Sequence, residues 1–181
     1  MSGLPYWARV SSERVRHIER VARLMHRWAE ALALSAGEQE RWLRVAWLHD
    51  ALRDASEAEL RQLAPDEPGP VELLHGPAAA VRVEREGEDD PGILSAIRWH
   101  SVGSAHWDLV GRALYCADFL EPGRSFDREA RAALAERFPA APEAVLLDVA
   151  GRRVGWMVRS GWAIPETTWR FWNQVVGESS R

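Results

Sequence analysis

Apolar residues recur at intervals of three and four along almost the whole chain, and β-branched residues never alternate over a useful length. A period near 3.6 puts one face of an α-helix in a core, whereas a strand needs a period of two. The pattern therefore predicts an all-α fold. Val15, Ile18, Val21, Leu24, Met25, Trp28 and Leu32 form one stripe over residues 12–34, with Ser11 or Ser12 as N-cap. A second helix is predicted over residues 38–53. Ser56 and Glu59 have the spacing of a capping box that opens a short third helix, and the run at 64–70, APDEPGP, breaks the chain. Pro77 suits the first turn of a helix reaching residue 85. Asp90 followed by Pro91 opens the next, which carries Ile93, Leu94, Ile97 and His100. Later helices are predicted over 109–118, 127–138, 143–160 and 166–176.

A length of 181 residues and a mass of 20.4 kDa suffice for one domain with a full core, read here as 1–181 with its core at about 10–176. No repeat or long linker divides it. All 23 basic residues are Arg, which excludes Schiff-base chemistry, pyridoxal phosphate anchoring and any phosphate loop that needs a lysine. The single cysteine, Cys116, cannot form an internal disulfide or a thiolate cage. With no secretory signal pattern and no apolar run of membrane-spanning length, a cytoplasmic protein is expected. The net charge of −4 is uneven: residues 1–53 carry +3, 54–90 carry −8 and 91–181 carry +1. An acidic middle argues against nucleic-acid and membrane partners and leaves room for a local anion site.

Candidate chemistry rests on the histidines taken as a set. His17 lies on the stripe of its helix, His49 ends the stripe of the next with Asp50 beside it, His100 continues the face of Ile93 and Ile97, and Asp118 ends the apolar run LVGRALYCAD. Imidazoles and carboxylates facing a bundle interior are costly unless something binds them, and a cation supplies that partner. Nitrogen and oxygen donors without sulfur suit Fe, Mn, Co, Ni or Zn better than Mg or Ca. Taken locally, His75 reads as a turn residue, and His26 and His106 as peripheral. Most of the ten tryptophans are read as core. Trp99 and Trp107, which bracket the polar set, are kept as surfaces for stacking a base.

AWLHDALRD, the earlier RVRH, and the later LLHGP, AIRWHSVG and YCADFLEPGR resemble, in order and spacing, the HD-domain phosphohydrolases and specifically their bacterial YqeK branch, the symmetrical diadenosine tetraphosphate hydrolases. The likeness runs over roughly residues 10–175. It implies an HD-domain helical bundle and two metal ions, with iron as the expected occupant and a dinucleoside polyphosphate as substrate. His17, His49, Asp50 and Asp118 would hold one metal, and Asp50 would bridge to a second held by His75 and His100. Where the family usually has lysine, the fifth position of the HisAsp motif is Arg53, which can clamp a phosphate but cannot accept a proton. Ser101 follows His100 where threonine is common.

Two cations about 3.5–4 Å apart generate a hydroxide at neutral pH and neutralise a phosphoryl centre under in-line attack. Asp50 and Arg53 are accordingly the catalytic candidates. Arg53, Arg98, Ser101 and Arg124 are the substrate-binding ones. If the second helix runs to residue 53, His49, Asp50 and Arg53 share one of its faces. Glu121 is read as a helix cap. Alternatives are an HD-domain nucleotidase, a guanosine-tetraphosphate hydrolase, or a non-hydrolytic diiron oxygenase. The ferritin-like diiron pattern fits poorly, since Glu72 with His75 is its only Glu-x-x-His match.

Overall fold

Capping side chains set most of the helix boundaries in the computed structural model, which describes residues 3–179. Ser11, Ser35 and Ser56 each accept a hydrogen bond from the backbone N–H three residues on, at 3.3 Å, and open α1 (Ser12–Ala31), α2 (Ala36–Leu48) and α3 (Glu57–Leu63). A 3₁₀ turn at Val71–Leu73 leads into α4 (His75–Arg85). Asp90 accepts from Gly92 N at 2.8 Å and Ile93 N at 3.2 Å and, with Pro91 in the first turn, opens α5 (Pro91–Trp99). Then follow α6 (Leu109–Leu120), α7 (Arg128–Arg137), α8 (Pro142–Arg159) and α9 (Glu166–Ser179). No strand occurs among the described residues, and no helix among them is long and apolar enough to cross a membrane.

Two predicted helices end early. α1 stops at Ala31 because Ala33 turns left-handed, at φ 50°, and Leu34 N bonds back to Ala29 O at 3.0 Å. α2 stops at Leu48, not at residue 53. Arg9 pairs with the chain beyond it, its N–H donating to Ala51 O at 2.7 Å and its carbonyl accepting from Asp54 N at 3.0 Å, so residues 49–54 leave the helix as turns. His49, Asp50 and Arg53 therefore do not share a helix face.

α6 is the axis of the bundle, buried on nearly every side and packed against α1, α2, α5, α7 and α8. Cys116 lies at its centre with no exposed surface, and burial pushes its thiol far above the ordinary range. Trp107 is a core residue, donating Nε1–H to Ser95 O at 3.2 Å, so it offers no face to a base. Trp28 ties α1 to α7, stacking on Phe138 at 4.0 Å and donating to Ala135 O at 2.8 Å.

The loop joining α6 to α7 is organised by one buried cation. Arg131 donates to Phe119 O at 2.9 Å, Arg124 O at 3.2 Å, Phe126 O at 3.3 Å and Glu121 O at 2.5 Å. A guanidinium fork can serve four carbonyls at once, and an ammonium cannot. Arg131→Lys is expected to leave buried acceptors unpaired and lower the unfolding free energy by about 2 kcal/mol. Urea unfolding of the parent and variant measures this.

Candidate metal centre

Four histidines meet Asp50 in the interior. His75 begins α4, His49 and His100 directly follow α2 and α5, and His17 lies midway along α1. Each of the first three has its Nδ1 against the carbonyl three residues earlier: His49 on Ala46 O at 2.8 Å, His75 on Glu72 O at 2.9 Å and His100 on Ile97 O at 2.8 Å. Those carbonyls fix Nδ1 as the protonated nitrogen and turn the Nε2 lone pair of all three rings inward. Glu72 thus contributes a backbone oxygen to the centre, while the residue itself is exposed.

These lone pairs converge. His75 Nε2 and His100 Nε2 are 3.0 Å apart, and Asp50 Oδ1 is 3.2 Å and 3.4 Å from them. Ser101 Oγ, at 3.4 Å from His75 Nε2 and 3.2 Å from His100 Nε2, has one proton to share between them. His49 Nε2 is fully buried with no hydrogen-bond partner among the described residues. An interior so rich in acceptors fits a cation, and two residue groups have suitable spacing: His17, His49 and Asp50, and Asp50, His75 and His100. Asp50 belongs to both.

The close pairing of His75 with His100 depends on Gly76. A Cβ there would lie 2.7 Å from Arg98 O and 3.0 Å from Ile97 O. Only glycine lets the start of α4 press against the end of α5.

His17 differs from the other three. Its Nδ1 lies 3.2 Å from Glu121 Oε1, and its Nε2 lies 3.1 Å from Asp118 Oδ1 and 3.6 Å from Asp50 Oδ2. Burial alone would lower its pKa, but the Asp118 and Glu121 carboxylates raise it to about 9. Its ring therefore holds a proton at neutral pH that a cation at Nε2 would displace. His49, by contrast, is driven down to about 4 by burial, and burial lowers His75 as well. Burial opposes ionisation of Asp50 and Asp118, yet His17, Arg153 and Arg124 hold Asp118 well below the usual carboxylate range, and Asp50, bonded by Arg14, lies well below it too.

Three residues matter here beyond the sequence expectation. Glu121 does more than end α6: buried, it accepts from the Arg20 guanidinium, from Gly123 N at 2.6 Å and from His17, and its pKa falls to about 2. A carboxylate behind a histidine fixes the ring orientation and raises its basicity. Arg153, on α8, donates to Asp118 Oδ2 at 2.7 Å and to His100 O at 3.2 Å, and lies 4.2 Å over the Tyr115 ring. Arg14 donates to Asp50 Oδ2 at 2.8 Å.

The four substrate-binding candidates are placed unequally. Ser101 is at the centre. Arg124 donates to Asp118 Oδ1 at 2.9 Å. Arg53 stands behind His75, its Nη1 donating to Glu72 O at 2.9 Å and lying 3.3 Å from His75 Nδ1. Arg98 is paired with Glu67 and lies 5.7 Å over Trp99. His26 and His106 are peripheral; His26 pairs with Glu30 on the surface of α1, at 3.6 Å.

A bundle that gathers histidines and a shared aspartate into its interior defines a helical protein with a histidine–aspartate metal centre. The chain belongs to the HD-domain family, whose model matches residues 14–137, from the first turn of α1 to the end of α7. HD domains bind divalent metals, and the clusters around Asp50 accord with that. A protein of Bacillus subtilis named symmetrical bis(5'-nucleosyl)-tetraphosphatase is 36% identical over 90 residues, covering 45% of this chain and 48% of its own. One of the same name from Halalkalibacterium halodurans is 31% identical over 101 residues, covering 51% and 54%. The chain thus spans about half the length of these curated relatives. A crystal structure from Clostridium acetobutylicum, described as a predicted HD superfamily hydrolase involved in NAD metabolism, superposes with a TM-score of 0.82 at 21% identity, over 93% of this chain and 92% of that one. That likeness establishes the fold.

Asp50 is the residue common to both groups, so Asp50→Ala is expected to lose most bound metal while helical content stays near that of the parent. Elemental analysis beside circular dichroism tests this, and undiminished metal would count against a shared aspartate.

Proposed function

We propose that the protein is a metal-dependent phosphohydrolase that cleaves dinucleoside tetraphosphates, diadenosine tetraphosphate foremost, symmetrically into two nucleoside diphosphates. The observation that carries the reading is the convergence of three inward Nε2 atoms on Asp50, with arginines beyond. The shared name of the relatives matched over about half their length supports the choice of substrate.

In this proposal His17, His49, Asp50 and Asp118 hold one metal, and Asp50, His75 and His100 the other. When bound, the pair supplies Lewis-acid charge to the phosphoryl oxygens and lowers the pKa of a water. Iron is the expected occupant, and Mn, Co, Ni or Zn would also suit these nitrogen and oxygen donors.

The chain's own groups then divide the work. The Arg14 guanidinium donates to Asp50 and keeps it ionised, and Arg124 and Arg153 do the same for Asp118. Ser101 Oγ sits where it can hydrogen-bond an oxygen held beside His75 and His100. Arg53 steadies His75 through the Glu72 carbonyl they share, and its planar fork can also meet a phosphate. Arg98 reaches a phosphate only by leaving Glu67.

Two outcomes test the reading. Incubation of the metal-loaded protein with diadenosine tetraphosphate should yield ADP alone by chromatography; equal AMP and ATP would indicate asymmetric cleavage. At Arg53, fixed charge is expected to matter more than shape. Arg53→Lys should retain most of the steady-state rate and Arg53→Ala should lose on the order of 10²–10³, the scale of removing a transition-state charge donor. Equal rates for the parent and the Ala variant would place Arg53 outside the reaction.

A further inference from the structure

The helix that sends Arg153 inward to Asp118 presents Trp156 to solvent one turn later, about 4.5 Å further along its axis. Trp156 is 51% exposed, and beside it, just past the end of α8, Trp162 is 45% exposed, with ring centroids 5.6 Å apart and planes at 48°. Arg152, four residues before Trp156 and so on the same face, reaches Asp127 at 3.4 Å. Asp127 belongs to the loop that supplies Arg124 to Asp118. Two paths through the structure, one along α8 and one across this loop, therefore place the tryptophan pair on the Asp118 side of the centre.

The surface there combines flat π faces with guanidinium groups, the pairing that suits a planar base joined to an anionic chain. Two half-exposed tryptophans offer on the order of 200 Å², enough for a purine, and the exposed Val158, Ile164 and Trp169 follow in the same stretch of chain. Of the two aromatics that bracket the histidines in sequence, Trp107 is core, and Trp99 is partly buried against the core with Arg98 beside it.

We propose that Trp156, backed by Trp162, is a stacking subsite for one nucleobase of a nucleoside polyphosphate whose phosphates lie at the histidine–aspartate centre. The proposal rests on the phosphohydrolase reading and adds a base-binding element from α8, outside the segment matched by the family model.

Calorimetric titration of the metal-loaded parent, Trp156→Ala and Trp156→Phe with ADP, and separately with inorganic pyrophosphate, tests it. Trp156→Ala should weaken ADP binding on the order of 10-fold to 100-fold, the scale of one base–aromatic stack, and leave pyrophosphate binding within about 2-fold. Trp156→Phe should keep most of the ADP affinity. Equal loss of both ligands, no loss of ADP, or a loss that tracks a change in sedimentation would each overturn the subsite, the last by making the surface a contact between copies of the chain. A parent that cleaves the dinucleotide but binds ADP equally with and without Trp156 overturns the subsite alone. A parent that binds ADP no better than pyrophosphate and cleaves no dinucleotide overturns the subsite and the nucleotide reading together.

Discussion

The Asp50 carboxylate, enclosed by imidazoles whose lone pairs face it, is the constraint on which the rest of the structure depends. Such a cluster is unfavourable in an apolar interior without positive charge, and the surrounding chain provides that charge in layers. Arg14 meets Asp50 directly, while Arg124 and Arg153 meet Asp118. Because every basic residue in the chain is arginine, each layer is a delocalised, forked donor that can bond two partners. Arg153 uses this capacity to join Asp118 on α6 to the carbonyl of His100 beyond α5.

Helix ends do most of the positioning. A ring at or just beyond a helix terminus finds free carbonyls within reach, and those at Ala46, Glu72 and Ile97 set the tautomers of His49, His75 and His100. His17, mid-helix, has no free carbonyl nearby and takes Glu121 instead. The two sides of the centre carry opposite protonation tendencies: the Asp118 and Glu121 carboxylates drive His17 up, and burial drives His49 down.

The all-α fold and most of its boundaries were legible in the sequence, because serine and aspartate caps act over three residues and need no tertiary knowledge. The end of α2 was not, since Arg9, some forty residues earlier, draws residues 49–54 out of the helix. His17, His49 and His100 were legible through the apolar stripes they extend, whereas His75 reads locally as a turn residue and enters only through the family resemblance. Glu121 looked like an ordinary cap before a proline–glycine turn, and the decisive fact, its burial against His17 and Arg20, is tertiary. Arg153 did leave a trace: Leu146, Val149, Ala150 and Arg153 follow helical spacing, so an arginine stands where an apolar residue belongs. Trp107 was misjudged as a stacking surface because its neighbours in sequence are polar, although its neighbours in space are Tyr115 and Phe171.

The contact at Gly76 makes the separation of two imidazole nitrogens a property of the main chain. α4 and α5 meet backbone to backbone, and each ring is then pinned to a carbonyl of its own segment. The spacing of these two nitrogens is therefore decoupled from drift in the packing around them, and the hydrophobic interior and the histidine pair are free to evolve on separate schedules.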